Sequence, residues 1–571
     1  MSRTEPAGTP LGDAFHVYDT TLRDGAQREG ISYSVADKLA VARHLDALGV
    51  GFIEGGWPGA LPKDTEFFAR ARELDLRHAA LVAFGATRRP GLRADRDPQV
   101  RALLDSAAPV VTLVAKSDRR HVERALRTDV TENCAMVADT VAFLRGEGRR
   151  VFVDAEHFFD GYAFDPDTAL RVLEAAVHAG ADVAVLCDTN GGMLPTGTAS
   201  TAGGRGTAST AGGRGTASTA GGRGTASTAG GRGISEVVEE VAARTGFRLG
   251  IHCQDDTGCA VANSVAAVAA GATHVQCTAN GYGERAGNAD LFAVVGNLVT
   301  KLGMPVLPDG RLSDLTRTSH TLAAIANIAP EGHQAYVGTS AFAHKAGLHA
   351  SAIKVDPELY NHMDPVDVGN GQRVLVTEMA GRASVELKGS ELGLDLAGHP
   401  DAVARVVATV KEREAQGWSY EASDASLELL MRSALGSSQE APFTLESYRV
   451  ITERRADGQV VAEATVKITV DGARLIATAE GNGPVNALDA ALRAALTPSC
   501  PWLADVELSD YKVRILTRGT AAVTRVLLES TDRSGSWSTV GVHGNVVEAS
   551  WLALVDAIAY AALRAHVPAL A

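Results

Sequence analysis

The chain is 571 residues long, 45% apolar and 21% charged, the composition of a globular protein, with room for three or four domains at about 150 residues each. Its net charge of −14 excludes non-specific nucleic-acid binding and docking on anionic lipid. The six cysteines form no CxxC pair, which excludes a disulfide framework or zinc knuckle and points to a reducing cytoplasm; the N-terminus lacks an apolar signal core, and no run is expected to approach the ~20 residues that span a bilayer.

Residues 1–15 read as a disordered tail. The stretch His16 to Gly30, HVYDTTLRDGAQREG, then reads as a buried strand that delivers Arg23 and Asp24 to its carboxyl end, where a turn containing Gly25 lets the backbone come close to a ligand. From His16 to about Gly303 short β-rich runs alternate with amphipathic helical stretches, eight pairs in all. Strands are expected to begin near His16, Val50, His78, Val110, Arg150, Asp182, Leu249 and Thr273. The helices are expected over Val35–Leu48, Thr65–Leu74, Pro98–Ser106, Glu132–Arg145, Asp167–Ala179, Ile234–Thr245, Ala260–Ala270 and Asp290–Lys301. Eight consecutive βα units predict an α/β fold, a closed (β/α)8 TIM barrel over residues 16–305, with its chemistry on the loops after the strands. Polar residues cluster at those ends: Arg23, Asp24, Glu54, Glu156, His157, Asp188, Thr189, His252, Gln254, Asp255, Asn280, Glu284 and Arg285.

One segment breaks the rhythm. Residues Gly197 to Arg232 are four copies of the nine-residue unit GTASTAGGR, too small and polar to build a core. With these 36 residues removed, Thr196 joins Gly233 and the text reads as an ordinary loop, so the repeat is a flexible insertion after strand 6. Beyond the barrel, 306–435 is helical in pattern and reads as a linker or lid, containing AFAHKAGLHASA (Ala341 to Ala352), and 436–443 is a polar linker. The last unit, 444–571, repeats three strands and a helix twice, an internal duplication of α+β type that suits a small ligand between its halves.

His252 and Gln254, two apart on a strand, share one face while Cys253 takes the other. Barrel closure brings strand 8 between strands 7 and 1, so Asp24, His252, Gln254 and Asn280 are expected around one point. That donor set suits Mg²⁺ or Mn²⁺ and, less comfortably, Zn²⁺; mutual satisfaction of His252 and Gln254 in the barrel mouth is the plainer alternative. A metal with Arg23 beside it can polarise the carbonyl of a 2-oxo acid, and Thr189 can bond its carboxylate. Glu156 is either an acid or base with a pKa raised by partial burial or an ion-pair partner inside the barrel. His344 and His349 are candidates for enolising an acetyl group.

Six motifs in order resemble the citramalate, isopropylmalate and homocitrate synthase group, whose barrels are of the DRE-TIM metallolyase type: DTTLRDGAQ (Asp19 to Gln27), EGGWPG (Glu54 to Gly59), EHFFDGY (Glu156 to Tyr162), DTNGG (Asp188 to Gly192), NGYGERAGN (Asn280 to Asn288) and AFAHKAGLHASA. The resemblance implies a Claisen condensation of acetyl-CoA with a 2-oxo acid. EGGWPG and EHFFDGY are most similar to the citramalate branch, which implies pyruvate as acceptor, (R)-citramalate as product and a role in isoleucine formation. It places Asp24, His252 and Asn280 on metal positions, with Gln254 standing where a histidine is usual because HxHND is here HCQDD. It puts Arg23, Thr189, Gln27 and Glu54 on substrate-binding positions and Arg23, Glu156 and His349 on catalytic ones. The C-terminal unit resembles the group's allosteric domain, which implies a homodimer and an amino-acid effector, isoleucine or leucine. The alternatives are the isopropylmalate or homocitrate reaction, a lyase running the reverse cleavage, and a non-catalytic amino-acid sensor whose metal site has decayed through Gln254.

Overall fold

A computed structural model describes residues 12–197, 232–437, 441–519 and 522–566. The eight strands β1 (His16–Asp19), β2 (Phe52–Gly56), β3 (Ala80–Ala86), β4 (Val110–Lys116), β5 (Arg150–Glu156), β6 (Val183–Asp188), β7 (Leu249–Cys253) and β8 (His274–Cys277) close in sequence order into a parallel barrel. The strands are rich in Val, Leu and Ala because both of their faces are covered. Inside, Tyr18, Phe52, Val82, Val110, Phe152, Val183, Val185 and Cys187 fill the cylinder; outside, residues such as Ile53, Val111, Val153 and Ile251 meet the helices. The barrel is therefore a packed core whose usable opening is at its end.

Local chemistry starts and stops the helices where the sequence asks. Ser34 and Asp37 form a reciprocal capping box on Val35–Leu48, and Gly49 ends that helix with a left-handed backbone at φ 102°. Asp97, Asp129 and Asp165 each accept from a backbone N–H at the head of the next helix.

One feature departs from expectation, at the barrel's amino end. Residues 12–15 belong to the fold: Gly12–Ala14 is a helical turn, Phe15 is buried, and Asp13 meets His16 Nε2 at 3.0 Å and Arg150 Nη1 at 2.8 Å. Residues 1–11 of the expected tail lie outside the described residues, as do 198–231 of the repeat. The two ends of the insertion lie together, since Ile234 N donates to Leu194 O at 2.9 Å and Gly197 N to Glu236 Oε1 at 2.8 Å. The chain leaves and re-enters the barrel at one place, as expected for an insertion in an existing loop.

The chain divides into two compact units, and the division falls inside the expected helical segment 306–435. Residues up to Phe342 together with Met363–Gly371 join the barrel, whereas Ala343–His362 and everything from Gln372 onward form the second unit. In that unit β9 (Ala343–His344) pairs with β10 (Arg373–Val374). Two antiparallel sheets follow, β11 (Thr444–Arg454), β12 (Val460–Val470), β13 (Ala473–Gly481) and β14 (Glu507–Ile515), β15 (Thr524–Asp532), β16 (Gly535–His543). Each is completed by one helix, Pro484–Leu496 and Val546–His566. The duplication extends to an irregularity: the first strand of each sheet slips register near its start, at Leu445/Ser447 and at Leu508/Asp510.

The last helix corrects one expectation. Val546–Ala565 spans 20 residues at a mean hydropathy of 1.6, long and apolar enough by composition to cross a bilayer. Its Ala549, Ala553 and Leu554 instead pack on Val526 and Leu528 as part of a core.

Candidate active site

The turn after β1 is fixed by its own hydroxyls. Asp19 accepts from Thr21 N at 2.9 Å and from Thr21 Oγ1 at 2.7 Å, and that hydroxyl in turn accepts from Ala279 N at 2.7 Å, tying the loop after β1 to the loop after β8. Burial pushes the Asp19 carboxyl up to about 7. Gly25 takes no left-handed backbone here; a Cβ at this position would make ordinary 3.5 Å contacts with Thr278 and Tyr282, so Gly25 packs against protein and not against a ligand.

Arg23 is the focus of the β1 and β2 ends. Its Nε donates to Glu54 Oε1 at 2.5 Å and its guanidinium lies 3.8 Å from the Phe84 ring centroid, while Nη1 is 3.7 Å from Asp24 Oδ1. Burial works against its charge, but Glu54 and then Asp24 hold it protonated, above the ordinary arginine value. Glu54 is fully buried; Oε1 also accepts from Thr20 Oγ1 at 2.6 Å and Oε2 accepts from the Tyr18 hydroxyl. Both of its oxygens are engaged, so Glu54 orients Arg23 and does not reach a substrate, which corrects its expected binding role.

On β7 and β8 a second cluster forms. Gln254 Nε2 lies 3.2 Å from Asp24 Oδ2, 3.1 Å from Asn288 Oδ1 and 3.2 Å from His252 Nε2, and His252 Nε2 is 3.5 Å from Asp24 Oδ2. Burial pushes the His252 imidazole down, favouring the neutral ring. The amide has two hydrogens for three acceptors, and its own Oε1 is buried without a partner. Turning the amide over would gather four lone-pair donors about one point, an arrangement that a cation satisfies and no donor among the described residues does. These residues fit a divalent ion. Among the described residues no three His, Cys, Asp or Glu side chains converge this way; the cluster reaches four through the amides of Gln254 and Asn288.

Asn280 is not part of it. Its backbone is left-handed at φ 55°, and its side chain turns outward to Ser319 Oγ at 2.7 Å, Gln334 Nε2 at 3.1 Å and the Tyr282 hydroxyl at 3.1 Å. The loop folds back instead: Asn288 N donates to Gly281 O at 3.1 Å and Ala289 N to Cys253 O at 3.1 Å, which lays Asn288 beside Gln254. Glycine is required at 283, where a Cβ would lie 2.2 Å from Asn288 Nδ2. The signal available in the sequence was this Gly-rich return, which puts the second asparagine of NGYGERAGN, not the first, in the mouth.

The remaining candidates are placed as follows. Glu156, at the end of β5, is ion-paired with Lys116 of β4, the alternative considered for it. Thr189 Oγ1 accepts from His157 N at 2.8 Å, leaving its own proton to donate. Gln27 is exposed and lines, with Arg28, Glu284 and Arg285, a cavity of ≈ 720 Å³ at the rim. His349 belongs to the second unit, its ring 4.2 Å from that of Tyr360 and 6.2 Å from that of His344. Sequence reasoning missed Asp154, which is buried on β5, accepts from Gln276 Nε2 at 2.8 Å and is pushed up to about 8 by burial and then by Glu54.

Comparison with known proteins divides the chain into three successive segments. Residues 14–203 and 222–322, about half the chain, match the HMGL-like family model, with the unmatched gap inside the repeat insertion. Residues 336–417 match a homocitrate synthase post-HMGL domain-like model and 421–562 the LeuA allosteric (dimerisation) domain. A barrel of this family, with Arg23 and a cation-ready cluster at its carboxyl end and a LeuA domain later in the chain, defines a condensing acyltransferase. An (R)-citramalate synthase of Streptomyces coelicolor is 60% identical over 564 residues, covering 98% of this chain and 99% of that protein. One from Synechocystis is 46% identical, covering 95% of each, and a 2-isopropylmalate synthase of Clostridium kluyveri is 28% identical, covering 95% of this chain and 96% of that one. The chain belongs to the (R)-citramalate synthase family.

Proposed function

We propose that this protein condenses acetyl-CoA with pyruvate and water to give (R)-citramalate and CoA. The observation that carries the reading is the convergence of Asp24, His252, Gln254 and Asn288 beside Arg23. Lewis-acid polarisation of the ketone is the chemistry a bound divalent ion adds there, and the oxygen-rich donors favour Mg²⁺ or Mn²⁺ over Zn²⁺. Arg23 donates to the oxygen that gains charge as the carbon–carbon bond forms; Glu54 and Phe84 hold it ready, so little reorganisation accompanies the reaction. The free proton of Thr189 serves the acceptor's carboxylate. Glu156, released from Lys116, draws a proton from the acetyl methyl group, and His349 of the AFAHKAGLHASA motif supplies a second acid–base group. Hydrolysis of the thioester then makes the condensation irreversible.

Pyruvate is favoured over 2-oxoisovalerate by the higher identity to relatives named for citramalate. The LeuA domain supports a homodimer and an amino-acid effector, isoleucine or leucine, in a branched-chain biosynthetic role, and six free thiols suit a reducing cytoplasm. A thiol-release assay with pyruvate, 2-oxoisovalerate and 2-oxoglutarate, each with and without isoleucine and leucine, tests this. Pyruvate should exceed the others in kcat/KM by at least about tenfold, the scale on which pocket size discriminates; preference for a larger acceptor overturns the assignment.

A further inference from the structure

The cation cluster depends on which nitrogen of His252 carries the proton, and a buried chain of contacts decides that. His252 Nδ1 lies 2.9 Å from Gln276 Oε1, and Gln276 Nε2 donates to Asp154 Oδ1 at 2.8 Å. Exposure is 7% at His252, 1% at Gln276 and 4% at Asp154, so water offers none of them an alternative partner. His252 and Gln276 face each other across β7 and β8, whereas Asp154 reaches Gln276 from β5 through the barrel interior.

The direction of the chain follows from what each group can do. The NH₂ of Gln276 faces Asp154 Oδ1 and its carbonyl oxygen faces His252 Nδ1. Nδ1 must then donate, and the lone pair of Nε2 points at Asp24, Gln254 and Asn288. Remove the acceptor on β5 and the amide is free to turn over, present its NH₂ to Nδ1 and send the proton to Nε2, where it opposes a cation.

We propose that Asp154 is a positioning residue for the divalent ion: acting through Gln276, it fixes His252 in the tautomer that offers Nε2 to the cluster of Asp24, Gln254 and Asn288. The proposal rests on the cation reading of that cluster.

The test uses the full-length protein stripped with EDTA, desalted and titrated with Mn²⁺ alone, free Mn²⁺ being read from its six-line EPR spectrum and Tm measured on the same samples. Wild type should bind one equivalent per chain. Asp154→Leu and Gln276→Leu should each weaken binding about 10–100-fold, the scale of outer partners of metal ligands. Asp154→Asn keeps a carbonyl oxygen for Gln276 and should stay within about threefold of wild type. Wild-type Mn²⁺ affinity in folded Asp154→Leu overturns the proposal whatever its Tm, as does equal weakening by Asp154→Asn; if Asp154→Leu does not fold, Gln276→Leu against Asp154→Asn decides in the same way. Asp24→Asn separates the two readings: if it and wild type bind Mn²⁺ alike, the cation site itself is wrong, and this inference falls with it.

Discussion

Arg23 and Glu54 are joined by a 2.5 Å contact between Nε and Oε1, and the same carboxylate also accepts from Thr20 on Oε1 and from Tyr18 on Oε2. The pair spans β1 and β2, and Phe84 on β3 floors the guanidinium at 3.8 Å. Both carboxylate oxygens are engaged by protein groups, while Nη1 of the guanidinium lies 3.7 Å from Asp24 Oδ1.

Glu54→Gln should therefore cost catalysis and spare binding of the thioester. An amide supplies no charge to Arg23 and sets its NH₂ against the hydroxyl donors, so kcat should fall about 10²–10³-fold, the usual cost of losing a stabilising donor in the transition state. KM for acetyl-CoA should change less than about threefold. Arg23→Ala should be at least as slow, and the double variant no slower than Arg23→Ala, because the two act as one unit. Steady-state kinetics of the three variants check this, and additive losses would show that Glu54 acts elsewhere.

The two asparagines of NGYGERAGN should separate cleanly. Asn288→Ala removes a donor from the cluster and should weaken Mn²⁺ binding at least about tenfold. Asn280→Ala breaks contacts to Ser319 and Gln334 and should lower stability by about 1–3 kcal/mol while leaving Mn²⁺ affinity unchanged. Equilibrium unfolding beside metal titration decides, and the reverse pattern would restore the expectation drawn from the sequence.

Gln254 stands where the family pattern has histidine, and the substitution should be reversible in its consequence. Gln254→His supplies a second imidazole and should raise Zn²⁺ affinity relative to Mg²⁺ by at least about tenfold, since nitrogen donors suit zinc and oxygen donors magnesium. Competition between the two ions, followed by metal analysis after desalting, reads the shift. An unchanged ratio would place residue 254 outside the coordination sphere.

At the opposite end of the barrel His16 is pushed down to about 4 by burial and then by Arg248, and it contacts His274 Nδ1 at 3.2 Å. Folded His16 is thus neutral at pH values where the unfolded chain, with an ordinary value of 6.5, has begun to take up a proton. Its contribution to stability is complete above pH 6.5 and is lost as pH falls from there toward 4, by on the order of 3 kcal/mol. Asp19 and Asp154, pushed up to about 7 and about 8, act with the opposite sign: their contribution is complete below about 4 and lost as pH rises through those values. A difference measurement isolates the histidine. The stability deficit of His16→Phe should be largest above pH 6.5 and shrink toward pH 4 in denaturant melts, and a deficit independent of pH would contradict the assignment.

Much of the barrel was legible because each unit pairs a β-rich run with a capped amphipathic helix; Val35–Leu48 and Ile234–Thr245 match their expected bounds residue for residue. The short helix Phe158–Phe164 was not, since burial of Phe158, Phe159 and Tyr162 outweighs any periodic pattern, nor was the π-helical turn Val122–Leu126, where only Val122 is buried and five residues carry no helical period. Within the site, Arg23, Asp24, His252 and Gln254 follow from strand alternation and barrel closure alone. Asn288 does not, because a chain that reverses after β8 carries its side chain back to a place that counting along the strand assigns to Asn280. Asp154 was hidden for another reason: its partner Gln276 lies on β8, 122 residues away, and only the closed cylinder brings them together. The division of residues 306–435 between two units was equally invisible, because it depends on which core each helix enters.

The most direct test of the central claim is anomalous diffraction from crystals of the full-length protein soaked in Mn²⁺ with pyruvate. The account predicts one peak per chain bonded to Asp24, His252, Gln254 Oε1 and Asn288, with the keto acid between it and Arg23. A peak elsewhere, or none at this cluster while the same preparation condenses pyruvate with acetyl-CoA, would contradict it.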